Sequence, residues 1–282
     1  MSGFARPELL ATTDWLADQL GRPEVRVVDA RWRPDGTALA AFEAGHLPGA
    51  THVDWRDELS EVAGEEGPPG LRLAPPEKVV SFMHRAGVGD ATALVLYDDT
   101  LGLYAARVWW SLRVYGFESA RILDGGYTAW QAEGRPLSTS SLPAPETTFR
   151  PRLNPRIRLS TVDVRALLGS PEVQILDARA NPEYRGHEGN AKRLGHIPGA
   201  INVPVGVMHE RGSQRLREAE EIRALLTRAG VVRGRRLVCY DGAGIGAARL
   251  AFVLTLLDYD DVAVYDGGWA EWGDRLDLPV ER

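Results

Sequence analysis

The chain has 282 residues, 44% of them hydrophobic, enough to bury substantial cores in one large domain or two of ordinary size. Its 33 basic and 39 acidic residues give a net charge of -6, with no long basic run and no aromatic-basic interleaving, so neither nucleic acid nor an anionic membrane is expected as a partner. A single cysteine, Cys239, excludes an intrachain disulfide and a thiolate metal cluster, and the six histidines lack metal-site spacing; no metal and no cofactor is expected.

The opening stretch MSGFARPELLATTDWL has no basic segment followed by an apolar core, and no run approaches the roughly 18 apolar residues of a membrane span. The expectation is a soluble, cytoplasmic protein. VRVVDA then predicts a buried strand ending at Asp29-Ala30-Arg31, followed by GHLPGATHV from Gly45 and a helical segment, PPEKVVSFMHRAG. ALVLYD predicts a strand closing on Tyr97-Asp98. A loop and a helix carrying Ala105-Ala106-Arg107 come next, and SARILDGG predicts one more strand before the motif LDGGYTAW.

The segment from Ser138 to Arg156 is rich in Pro, Ser and Thr and lacks apolar periodicity, which reads as an extended linker. Beyond it the same series restarts in the same order. VQILDA ends at Asp177-Ala178-Arg179, GHIPGAINV begins at Gly195, and AEEIRALLTRAG is helical. RLVCYD closes on Tyr240-Asp241, Ala247-Ala248-Arg249 follows, and YDGGWAEW comes last. A period this long marks a duplicated domain rather than a solenoid unit. The expected organisation is a first domain over 1–137, a linker over 138–156 and a second domain over 157–282. Apolar strands separated by helices predict an α/β fold, each copy a mainly parallel sheet flanked by helices, with ligands gathering at the strands' carboxyl ends.

One such end carries the glycine-rich loop Gly242, Ala243, Gly244, Ile245 and Gly246, with a helix expected from about Ile245 through LAFVLTLL. Convergent N–H groups and a helix N-terminus suit a bound anion or thiolate, but the same sequence suits a tight turn with no ligand. An aspartate at a strand end can also be a phosphoryl-transfer nucleophile. Neither LYDDTLG nor CYDGAG has the spaced second aspartate that would hold magnesium for that chemistry, and there is no cysteine phosphatase loop.

The order DAR, GHxPGA, strand and glycine-rich loop, then YDGGWxEW resembles the rhodanese family in its tandem form, the thiosulfate and 3-mercaptopyruvate sulfurtransferases. The resemblance covers nearly the whole chain. It implies two rhodanese folds with an active site in the second copy, where a cysteine at the start of the loop takes sulfane sulfur as a persulfide and passes it to cyanide or a thiol. The first copy of such proteins usually has an aspartate there and is inactive. In this chain the second copy has one too: Asp241 stands at the nucleophile's position, and a carboxylate cannot carry sulfane sulfur. Cys239, two residues upstream on the same face of the strand, lies about 6 to 7 Å further back, where a small buried hydrophobe is the plain reading.

By position, Arg185 and Arg193 match the family's substrate-binding arginines, with Lys192 as a rival to Arg193, and the loop from Gly242 to Gly246 is the remaining substrate-binding element. The alternative for these basic residues is a solvated loop. Asp29, Asp177, His46 and His196 read as scaffold that ties loops to the sheet, and Trp130, Trp269 and Trp272 as core anchors. The partner implied is a small anionic sulfur compound such as thiosulfate or 3-mercaptopyruvate, or a sulfur-relay protein. Two functions compete: a binding or regulatory protein that forms no persulfide, and an active sulfurtransferase working through Cys239. A paralogue retained for assembly with another protein is a third reading, and no partner motif supports it.

Overall fold

The computed structural model describes residues 3–62, 71–141 and 143–282; Met1, Ser2 and Leu142, the last within the segment read as a linker, lie outside it. The first half contains β1 (Leu10–Ala11), α1 (Thr13–Gln19), β2 (Val25–Asp29), α2 (Ala38–Ala44), β3 (Ala50–His52) and α3 (Trp55–Glu58). It continues through β4 (Ser60–Val62), β5 (Leu71–Leu73), α4 (Pro76–Arg85), β6 (Ala93–Tyr97), α5 (Leu103–Val114), β7 (Ala120–Leu123) and α6 (Gly126–Ala132). The second half repeats the plan with β8 (Arg158–Leu159), α7 (Thr161–Leu167), β9 (Val173–Asp177), α8 (Asn181–Tyr184) and β10 (Ile201–Asn202). Then follow α9 (Ala219–Ala229), β11 (Arg236–Tyr240), α10 (Ile245–Leu256), β12 (Val262–Tyr265) and α11 (Gly268–Trp272).

Each half forms a five-stranded sheet, ordered β1-β7-β6-β2-β3 in the first and β10-β9-β11-β12-β8 in the second, which is the same order read from the opposite edge. All pairings within the two sheets are parallel. Both halves therefore have the α/β architecture expected from their apolar, β-branched strands. Register carries the repeat to single residues: Asp29 lies opposite Tyr97, and Asp177 opposite Tyr240. Local signals repeat as well. Thr12 caps α1 by accepting the Trp15 N–H, and Ser160 caps α7 in a reciprocal capping box with Asp163.

The scaffold residues are tied as their positions suggest. Asp29 accepts from the Arg31 side chain and from the Tyr97 hydroxyl at 2.6 Å, and Asp177 holds Arg179 in the same way. His46 Nδ1 lies 2.9 Å from the Phe42 carbonyl and His196 Nδ1 2.9 Å from that of Tyr184, each ring stacked on the aromatic residue whose carbonyl it meets. Trp130, Trp269 and Trp272 are buried. The segment after Ser138 runs along the first half, with the Arg152 N–H donating to the Tyr115 carbonyl at 2.8 Å and the Asn154 N–H to that of Val114 at 2.7 Å.

The halves meet through α5 and α10, which are buried on almost every side. That explains why FVLTLL is apolar at every position but Thr255, whose hydroxyl donates to the Ala251 carbonyl at 2.8 Å, rather than amphipathic: one face meets its own sheet and the other meets the opposite helix. Trp109 of α5 packs edge-on against Phe252 of α10 at 5.0 Å, inside a single apolar cluster that spans both halves. Each half also extends an arm to the other. The β4–β5 hairpin brings the Leu73 N–H to Asp266 at 2.8 Å, and the arm closed by the His209–Leu216 bridge brings the Leu216 N–H to Asp124 at 3.0 Å.

Candidate functional site

The loop after β11 closes on its own aspartate. Asp241 is the first residue past the strand, and its carboxylate accepts the N–H groups of Ala243 at 3.2 Å, Gly246 at 2.7 Å and Gly244. The N–H groups of this loop do converge, and the group they converge on is a side chain of the same loop. In the first half Asp98 does the same, accepting the N–H groups of Thr100 at 2.8 Å, Gly102 at 2.9 Å and Ala105 at 2.9 Å. Three N–H groups that face an incoming anion in an open cradle are thus already paired. Burial pushes the Asp241 carboxyl above its ordinary value, against the opposing pull of the Gly246 and Gly244 N–H groups and of Arg107, and Asp98 shows a similar balance.

Gly244 is required twice over. Its φ of +83° lies in the left-handed region, and a β-carbon there would stand 2.6 Å from Nη1 of Arg107, which reaches over from the other half. The Arg107 guanidinium donates to Asp266 at 3.0 Å and leans on the Trp110 ring at 4.6 Å. The mirror relationship holds at Gly102, where φ is +70° and a β-carbon would stand 2.9 Å from Arg249 Cζ. The arginine of each AAR motif therefore belongs to the loop of the other copy. Burial brings Arg249 down to about 10, against the pull of Asp98 and Asp124. His209 Nε2 lies 3.2 Å from Arg249 Nη2 and 3.1 Å from the Leu101 carbonyl, and burial together with Arg249 pushes the imidazole down to about 3.

Cys239 sits beneath this loop, not in it. Its Cα pairs with Leu176 on β9 and Val264 on β12, its exposure is 0%, and it belongs to the apolar cluster shared by the two halves. Burial alone pushes the thiol far up, so almost none is thiolate at neutral pH. Asp241 and the loop from Gly242 to Gly246 are brought together, with Ile245 and Gly246 opening α10.

The basic residues are placed differently from one another. Arg185 is exposed and donates from Nε to Asn181 Oδ1 at 2.9 Å. Arg193 donates to the carbonyls of Gly273 at 3.2 Å, Leu278 at 2.7 Å, Trp272 at 3.0 Å and Arg275, pinning the chain that follows α11. Lys192 is exposed and pairs with Asp274 at 3.3 Å. The crossed arginines, the Arg107–Asp266 pair and the Arg249–His209 contact were not legible in the motifs. The signal was present, because AAR and DGG both repeat, but nothing in a linear pattern says that their contacts cross between copies.

A model of the rhodanese-like domain matches residues 12–133 and 160–275. The 3-mercaptopyruvate sulfurtransferase of Escherichia coli is 34% identical over 277 residues, covering 95% of this chain and 96% of that protein. The human protein of the same name is 34% identical over 286 residues, covering 95% and 94%. The sulfur carrier protein TtuD of Thermus thermophilus is 32% identical over 295 residues, covering 99% of each. The crystal structure of SseA from Escherichia coli, a 3-mercaptopyruvate sulfotransferase with the "rhodanese" fold, superposes with a TM-score of 0.82 at 30% identity, covering 93% of this chain and 98% of that one.

Proposed function

The chain belongs to the rhodanese family, and from that premise we propose that it is a sulfurtransferase relative that forms no persulfide and acts by recognising an anionic sulfur compound or a sulfur-relay partner. The observation that carries this reading is the Asp241 carboxylate, held in the second-copy loop by the N–H groups of Ala243, Gly244 and Gly246. Persulfide transfer needs a thiolate that attacks sulfur and later yields it, and the chain's one thiol lies in the apolar core with its ionisation suppressed. A filled cradle also places a negative charge where a sulfur-bearing anion would otherwise approach.

Recognition of such an anion falls in this reading to Arg185, exposed beside the loop after β9, whose planar guanidinium can take a carboxylate or sulfonate in a bidentate pair. Arg193 supports the same region by fixing the chain after α11. The relatives' names, 3-mercaptopyruvate sulfurtransferase and sulfur carrier protein, define the class of compound and partner to test.

The deciding experiment is incubation with thiosulfate and with 3-mercaptopyruvate, followed by intact mass and a cyanide assay for thiocyanate. The parent protein should gain no sulfur atom and release no thiocyanate, whereas Asp241→Cys should gain one sulfur atom. A sulfur adduct on Cys239 of the parent would overturn the proposal. A folded Asp241→Cys variant that stays unmodified would show that more of the pocket than the nucleophile has been lost.

A further inference from the structure

A cavity of about 430 Å³ opens on the seam between the halves, at the carboxyl ends of β8 and β12. Its walls include Arg72 from the first half and Arg158 and Arg275 from the second, with Leu153 and Val162 beside them. The carboxylates that line it already have donors. Asp266 accepts from Arg107, from Arg158 Nε at 3.0 Å and from the Leu73 N–H, while Glu271 accepts from Arg72 at 2.9 Å and from the Thr161 hydroxyl. Asp163 is held by the N–H and hydroxyl of Ser160, and Arg275 is paired with Asp277.

Donors are left over. Arg158 donates through Nε alone and Arg72 through Nη2 alone, so among the described residues the two terminal amino groups of Arg158, and Nε and Nη1 of Arg72, have no protein acceptor. The apolar side chains here are the other unmatched feature. Leu276 is 79% exposed, Val162 72% and Leu153 62%, more than any other large hydrophobic side chain of the described residues; two of them line this cavity and the third follows Arg275. Arg72 and Arg158 side chains are 41% and 35% exposed, so their spare N–H groups face the solvent of the cavity, and such donors within an aliphatic rim suit a carboxylate joined to a branched aliphatic group.

We propose that this seam pocket binds such a ligand, its carboxylate taken by Arg72 and Arg158 and its aliphatic part laid on Leu153 and Val162. The chemistry has two sources, a free small acid and the carboxyl-terminal leucine of a polypeptide. Either would bridge the two halves, because Arg72 and Arg158 come from opposite sides of the seam. None of the residues lining the pocket belongs to the loop from Asp241 to Gly246.

The test is calorimetry with N-acetyl-leucine and fluorescence anisotropy with a labelled peptide ending in leucine, each compared with its carboxamide. The expected result is saturable binding below about 10 mM, weakened by about tenfold or more in the carboxamide and in both Leu153→Asp and Arg72→Gln. Peptide binding about tenfold tighter than N-acetyl-leucine would assign the pocket to a chain terminus, and equal binding to a small acid. Leu153 is a surface side chain, so its variant tests the pocket without disturbing the core. No saturable binding by either probe, or binding unaffected by Leu153→Asp or by amidation, would overturn the proposal.

Discussion

Asp98 and Asp241 occupy the same place in the two copies and do the same thing: each turns its carboxylate into the loop that follows its own strand and accepts three N–H groups there. The two loops are alike in being filled from within, although only the second carries the glycine-rich sequence Gly242 to Gly246. The consequence is thermodynamic as well as chemical, since a filled cradle is stabilised by the side chain it holds.

Replacing Asp241 with Ala removes the internal anion and leaves three N–H groups without it. The variant should lose about 1–3 kcal/mol of stability, the usual cost of unpaired donors in a partly buried site. Formate or sulfate should restore part of that loss by entering the vacated cradle. Thermal unfolding with and without added formate checks this, and an equal response of parent and variant to the anion would count against an internally filled cradle.

The acid limb of stability should carry the signature of His209. Burial and Arg249 lower its folded-state value from 6.5 to about 3, so the folded protein keeps the ring neutral where the unfolded chain takes up a proton. Its contribution is present above about pH 6.5 and is lost as pH falls towards 3, at a limiting slope of about 1.4 kcal/mol per pH unit. Urea midpoints measured from pH 7.5 to 4.5 should fall less steeply in His209→Gln than in the parent. Parallel curves would show that His209 does not titrate in this way.

Asp266 gathers donors from three separate elements: Arg107 on α5, Leu73 on β5 and Arg158 on β8. Removing its charge as Asp266→Asn leaves the buried Arg107 without a counter-ion, at an expected cost of about 3–5 kcal/mol. The double variant Arg107→Met with Asp266→Asn should be less destabilised than the sum of the single changes, because the stranded charge is gone. Chemical denaturation of the four proteins measures that coupling, and strict additivity would refute it.

Cys239 should resist alkylation by iodoacetamide in the folded protein and react readily in urea, since both access and thiolate formation require the core to open. Cys239→Ala should cost about 1 kcal/mol through the small void it leaves. Rapid labelling under native conditions would place the thiol nearer the surface than the fold has it.

Much of this arrangement is legible before any coordinates. The duplication, the strand runs, the helix from Ile245 and the aspartate at the second loop all follow from residues that recur in order, because parallel strands buried on both faces must be apolar throughout and a tight strand-to-helix turn favours glycine. The contacts of Arg185 and Arg193 were not legible in the same way. Both are basic residues in polar loops, and whether such a side chain faces solvent or four main-chain carbonyls depends on chain segments far away in sequence. The exposed aliphatic side chains were equally hidden, since Leu153, Val162 and Leu276 look ordinary in their own segments and only the fold decides that all three stay exposed, two of them at the seam cavity.

What the sequence by itself determined was the pair of α/β units, the family and the identity of the residue at the head of each loop. What the tertiary structure decided was how those residues act on one another. It turned Asp241 inward onto its own N–H groups, placed Cys239 in the shared core and crossed Arg107 and Arg249 into opposite copies. The physical reason is that backbone pattern and burial are local consequences of residue type, whereas pairing a charge is a global choice, settled by whichever partners the packed helices α5 and α10 bring within hydrogen-bonding distance.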